Sequence, residues 1–223
     1  HDGNSERVVG RALQDGYRER VKLATKLPCW LVETPVDFDK LLNEQLEKLQ
    51  TDHIDYYLLH AVHKARWARM QEMGAIEWAE KAIAGGRIGG LGFSFHDDLG
   101  LFKQVVDAYD GWALCQIQYN FTGEDVQAGT EGLEYAAAKG LPVVIMEPLM
   151  GGLLANPPAP VQAIWDETAQ QPVDMALQWL WDKPEVSVVL SGMTTMEHVE
   201  QNLASAGRSG VGTMSEADLA LIE

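Results

Sequence analysis

The chain has 223 residues, 46% of them apolar and 22% charged, enough for one domain with a real core. Seventeen Lys and Arg against 33 Asp and Glu leave a formal charge of −16, which repels phosphate backbones and anionic lipid heads and argues against nucleic acid or membrane partners. Cys29 and Cys115 are too few for a disulfide framework or an iron–sulfur site and fit a reducing, cytoplasmic compartment; no run of about 18 apolar residues predicts a membrane span.

In chain order, residues 4–14 carry Val8, Val9, Ala12 and Leu13 at helical spacing, and no strand precedes that helix. Residues 21–27 form an apolar run closed by Pro28, a buried strand, followed by an amphipathic helix with Phe38, Leu41, Leu42, Leu46 and Leu49 on one face. Residues 54–61 predict a second strand, lifting His60 to its carboxyl end. A long polar helix over about 66–84 stops at Gly85-Gly86, and residues 88–95 are a glycine-rich strand.

The alternation continues with a helix over about 98–109, a strand at 113–119, a helix at 127–139 and a strand at 142–147. The loop with Pro157, Pro158 and Pro160 is read as too proline-rich for regular structure. Then come a helix with Val173, Ala176, Leu177 and Leu180, a strand at 186–190 and a helix at 196–206. Six buried strands, each followed by a helix, predict a parallel α/β fold: a (β/α)8 barrel with pieces absent, or an open doubly wound sheet, over residues 1–223 as one domain.

Polar residues gather at the strand carboxyl ends: Lys26, His60, Ser94 with His96, Gln116 with Gln118 and Asn120, Glu147 and Ser191. That is the face on which barrel enzymes build their sites. Taken alone, a strand-end lysine reads as a surface charge and a strand-end histidine as a structural hydrogen-bonder; a metal site from His60, His63 and His96 would need converging side chains that this spacing does not ensure. Trp30, just past the Lys26 strand, reads as either pocket lining or packing.

The segments Ala24-Thr25-Lys26-Leu27-Pro28, Asp55-Tyr56-Tyr57-Leu58-Leu59-His60, Gly89-Gly90-Leu91-Gly92-Phe93-Ser94, Gln116-Ile117-Gln118-Tyr119-Asn120, Glu147-Pro148-Leu149 with Gly151-Gly152, and Glu200-Gln201-Asn202 resemble, in order and spacing, the strand-end motifs of the aldo-keto reductase family. Gln127-Ala128-Gly129-Thr130-Glu131-Gly132-Leu133 and Ile145-Met146-Glu147-Pro148-Leu149 resemble the branch of predicted oxidoreductases whose members often carry a C-terminal iron–sulfur region, a region not found in this sequence. The resemblance implies a (β/α)8 barrel and hydride transfer from NADPH, or NADH, to a carbonyl on a small molecule, assisted by an Asp, Tyr, Lys and His tetrad. Lys26 matches the lysine and His60 the histidine. An ammonium beside a tyrosine of ordinary pKa about 10 eases its proton donation, and the histidine orients the carbonyl.

The aspartate and tyrosine fall before His1 by this spacing, so the resemblance also implies that the first two barrel strands are absent from the sequence; Tyr17, past the first helix, is not a substitute. For the cofactor, Ser94 and Gln116 match the residues that hold the carboxamide, and Met146 a position that covers the nicotinamide ring. Glu147, Leu149 and Gly151 match the pyrophosphate segment, and Gly192, Met193, Thr194, His198 and Asn202 the adenosine end. Neither Gly192 nor His198 carries the permanent charge that favours NADP over NAD. The alternative reading is a barrel remnant without catalysis, acting as a nucleotide-binding or interaction module. Neither the substrate nor an oligomeric state is legible in the sequence.

Overall fold

A computed structural model describes residues 3–168 and 170–222; residues 1, 2, 169 and 223, and with them the ends of the expected single domain, lie outside the described residues. Six strands, β1 (Ala24–Leu27), β2 (Ile54–Val62), β3 (Ile88–Phe95), β4 (Trp112–Gln118), β5 (Val143–Met146) and β6 (Val186–Val189), follow one another in sheet order. The chain divides into two compact units, residues 1–115 and 116–223, with the boundary inside β4.

In the first unit, α1 (Asn4–Ala12) precedes β1, and α2 (Val36–Leu49), α3 (Lys64–Glu72), α4 (Ala75–Ala84) and α5 (Leu99–Asp107) follow the strands. β1 pairs with β2, and β2 with β3, in parallel. Leu27, Ile54, Leu59, Ile88 and Leu91 are fully buried, as expected for a parallel sheet covered on both faces. Beside them Phe93, Phe95, Phe102 and Trp112 form an aromatic cluster, with Phe93 and Trp112 edge to face at 4.8 Å.

The second unit holds β5 and β6, paired in parallel, with α6 (Gly129–Ala138), α7 (Ala159–Asp166), α8 (Pro172–Trp181), α9 (Met196–Ala206) and α10 (Glu216–Ile222). Met175, Ala176, Leu177 and Leu180 of α8 are buried there, and Trp179 of α8 lies against Tyr119 at 5.2 Å.

Four details differ from the sequence reading. β1 starts at Ala24, not at residue 21, because the Leu23 N–H donates to the Asp55 carboxylate at 2.9 Å. The helix expected over 66–84 is two, broken at Gly74, whose φ of 72° a continuing helix cannot hold. The proline segment is not structureless: Pro158 precedes α7 and Pro160 sits in its first turn, where no amide donor is needed. α10 was not expected, although Ser215 and Asp218 cap its start reciprocally, the Asp218 N–H donating to Ser215 Oγ at 3.1 Å.

Candidate active site

In the first unit two residues expected to do chemistry stand at neighbouring strand ends. β1 presents Lys26, half-buried, whose ammonium finds no carboxylate among the described residues; burial lowers its pKa. Its backbone is fixed by Gln45 of α2, whose amide Nε2 donates to Lys26 O at 2.9 Å and to Glu6 of α1 at 2.6 Å, while its Oε1 accepts from the buried Tyr57 hydroxyl. β2 presents His60. Burial, then the charges of Lys26, Arg66 and His96, push its pKa down to about 4, so the ring is neutral at physiological pH. A neutral imidazole donates one hydrogen bond and carries no charge to repel the lysine.

The backbone around His60 is irregular. Strand register slips between Leu59 and Val62, and Ala61 is left-handed at φ 52°, a β-bulge that re-aims the side chain next to it. The His60 N–H donates to Cys29 Sγ at 3.2 Å, and the Ala61 N–H to Ser94 Oγ at 2.8 Å. From the first turn of α3, Arg66 returns its Nη1 to the Ala61 carbonyl at 2.5 Å. Trp30 is half exposed and turns its ring to His60 at 5.1 Å, with the Arg66 guanidinium 5.6 Å from the same ring. Burial raises the Cys29 thiol to about 11, so it serves as a protonated hydrogen-bond partner. Trp30 reads from the sequence as pocket lining or packing, whereas nothing there points to Cys29 or Arg66; a bulge is a register feature and has no local signature here.

In the second unit, a cavity of about 770 Å³ is lined by Met146, Glu147, Leu149, Gly151, Gly192, His198 and Asn202, seven of the expected cofactor residues, together with Ser191 and Gln201. Its volume is that of a small-molecule site. Gly151 and Gly152 have φ of 63° and 98°, and a side chain on Gly152 or Gly192 would meet nothing within 4 Å, so the backbone there is open to close approach. Thr195 caps α9, accepting from the His198 N–H, and Asn202 donates to Ser191 Oγ at 2.9 Å. A cavity of this volume whose glycine backbone is open to close approach suits a pyrophosphate, so the lining fits a dinucleotide. Among the described lining residues only Glu147 and His198 are ionisable.

Met193 and Thr194 do not line that cavity; Thr194 instead donates its N–H to His198 Nδ1 at 3.3 Å and orients that ring. Gln116, buried at the end of β4, donates to Met146 Sδ at 3.1 Å, which joins two of the expected nicotinamide residues. Asn120 is structural: it donates to Glu147 O at 3.0 Å and accepts from Thr122. Tyr17 is exposed just before β1, away from the strand carboxyl ends. Among the described residues, no group of three or more His, Cys, Asp or Glu is placed to hold a metal ion, and no helix is long and apolar enough to cross a membrane.

The profile of the Aldo/keto reductase family matches residues 1–210. The chain belongs to that family. This aldo/keto reductase is 29% identical over 237 residues to the methylglyoxal reductase YeaE of Escherichia coli, covering 100% of this chain and 75% of the relative. It is 25% identical to the L-galactose dehydrogenase of Arabidopsis thaliana, over 90% of this chain and 69% of that one. Among solved structures, an aldo/keto reductase from Klebsiella pneumoniae in complex with NADP and acetate superposes with a TM-score of 0.77 at 27% identity, covering 99% of this chain and 75% of that one. The AKR11C1 reductase of Bacillus halodurans reaches 0.80 at 22% identity, a likeness of fold. As an aldo/keto reductase the chain is an oxidoreductase on a barrel-type α/β scaffold.

Proposed function

We propose that this aldo/keto reductase reduces a small aldehyde or ketone to an alcohol with NADPH, or alternatively NADH, as the reductant. The observation that supports this most directly is the pair Lys26 and His60 at adjacent strand ends, the histidine kept neutral by burial and by the lysine's charge. The nicotinamide would supply the hydride. In this reading His60 donates a hydrogen bond that points the carbonyl oxygen, the Lys26 ammonium lowers the cost of charge developing there, and the alkoxide left by hydride transfer takes its proton from solvent water to give the alcohol. The second unit's cavity fits the nucleotide: Gly151, Gly152 and Gly192 for the pyrophosphate approach, His198 and Asn202 for the adenosine end, and Met146, held by Gln116, for the nicotinamide. NADP in the Klebsiella pneumoniae relative and the methylglyoxal reductase at 29% identity favour NADPH and a reactive aldehyde.

The test uses the full-length protein: quenching of tryptophan fluorescence by NADPH and NADH, then loss of NADPH absorbance with a panel of reactive aldehydes. Binding with turnover is the expected result. Binding without turnover would make the chain a nucleotide-binding module, and no binding of either cofactor would overturn the cofactor assignments.

A further inference from the structure

We infer that Arg66 and Ser94 are positioning residues for His60, holding the left-handed Ala61 peptide and so fixing the direction in which the imidazole leaves β2. The inference rests on the proposed role of His60 in orienting the carbonyl. Ala61 would relax toward extended backbone if left alone, since an L side chain in the left-handed region meets the following carbonyl. Such a residue persists only where its surroundings over-determine it. Here both sides of the peptide are held: Ser94 Oγ accepts its N–H at 2.8 Å, and Arg66 Nη1 donates to its carbonyl at 2.5 Å and lies 3.5 Å from the His60 carbonyl.

The device is local and closed. The chain leaves β2 at Val62, His63 stands just before α3, and Arg66 in the first turn of that helix reaches back to the bulge it has just left. Arg66 has no carboxylate partner among the described residues, so its hydrogen bonds go to the bulge, and its flat face lies over Trp30, the ring that His60 also contacts. Ser94 is buried in β3 with its oxygen taken as an acceptor, which leaves its one O–H still able to donate. A relaxed Ala61 would therefore turn His60 off the Trp30 ring.

The experiment compares Arg66→Gln, Arg66→Lys, Ser94→Ala and Ala61→Gly, alone and with Arg66→Gln, in the full-length protein. Arg66→Gln is expected to lower kcat about tenfold or more, the scale of a misplaced reacting group, with NADPH affinity unchanged within about twofold. Ala61→Gly in the Arg66→Gln background is expected to restore about fivefold of that loss, because glycine holds the left-handed conformation without the clamp. Equal kcat in Arg66→Gln and the parent, or additive losses in the double variant, would overturn the inference. If Arg66→Gln does not fold, Arg66→Met, which removes the same donors and keeps the length of the side chain, gives the same comparison with and without Ala61→Gly. If the parent binds NADPH but turns over no aldehyde, the functional reading fails separately. The clamp is then read from the ring-current shift of the His60 imidazole resonances by Trp30, expected to collapse in Arg66→Gln and to return with Ala61→Gly; an unmoved resonance overturns it.

Discussion

His60 illustrates how a residue's surroundings set its chemistry. Its pKa falls from an ordinary 6.5 to about 4, through burial first and then the charges of Lys26, Arg66 and His96. The folded state thus binds fewer protons than the unfolded one between those values. The stability tied to the neutral ring is complete above the unfolded pKa and is lost as pH falls through the folded one. The acid limb of kcat is expected near pH 4, not near the free-histidine value, and His60→Ala should remove that limb; a pH–rate profile checks both. Lys26→Met should cost about a hundredfold in kcat with nearly unchanged NADPH affinity, measured by steady-state kinetics beside fluorescence titration. At this scale the sequence was informative where a motif fixes a position, as at Lys26, His60 and the glycines after β5. Arg66 and Cys29 are not legible there because they bear on the site through a bulge in β2, which no composition or spacing announces.

Among the elements, periodicity located every strand and most helices, and the misreadings have physical reasons. Gly74 split one expected helix because its left-handed backbone ends α3 before α4 begins. Prolines at 158 and 160 open α7, although their density in the sequence predicts an irregular loop. The packing of α1 on α2 gives a sharp prediction: a Cβ on Gly10 would lie 2.5 Å from Lys48 O and 2.8 Å from Leu49 C, backbone that cannot swing aside. Gly10→Ala is expected to destabilise by about 1–3 kcal/mol in thermal or urea unfolding despite better helix propensity. α9 supplies a second prediction. Because His198 and Glu147 are the ionisable lining groups, His198→Arg should raise the preference for NADPH over NADH about tenfold, seen as a change in the ratio of the two affinities.

For the molecule as a whole, the amino-terminal end of β2 carries a stability switch far from the chemistry. Asp55 accepts from the Leu23 N–H and pairs with Arg18 at 2.9 Å and Lys22 at 3.0 Å. Burial opposes its ionisation, but these donors outweigh it and bring its pKa from 3.8 to about 2. The stabilisation is present above the ordinary carboxylate value and is lost as pH falls through the folded one; Asp55→Asn should lower stability at neutral pH by about 1 kcal/mol, Lys22 being well exposed, and flatten the acid unfolding limb. The parallel order of six strands was legible because strand and helix patterns alternate regularly, whereas the division into two compact units inside β4 leaves no linker or change of composition to read.

Gln45 shows how one amide can encode direction. Its nitrogen gives to Glu6 and to the Lys26 carbonyl, and its oxygen receives from Tyr57. A glutamate in the same place has the same shape but only acceptors, so two of the three bonds would become oxygen facing oxygen, one of them carboxylate against carboxylate. The arrangement reads the identity of a single atom, NH₂ against O. Deamidation, a change of one mass unit that leaves the shape intact, would loosen the strand that carries Lys26 from the two helices beneath it.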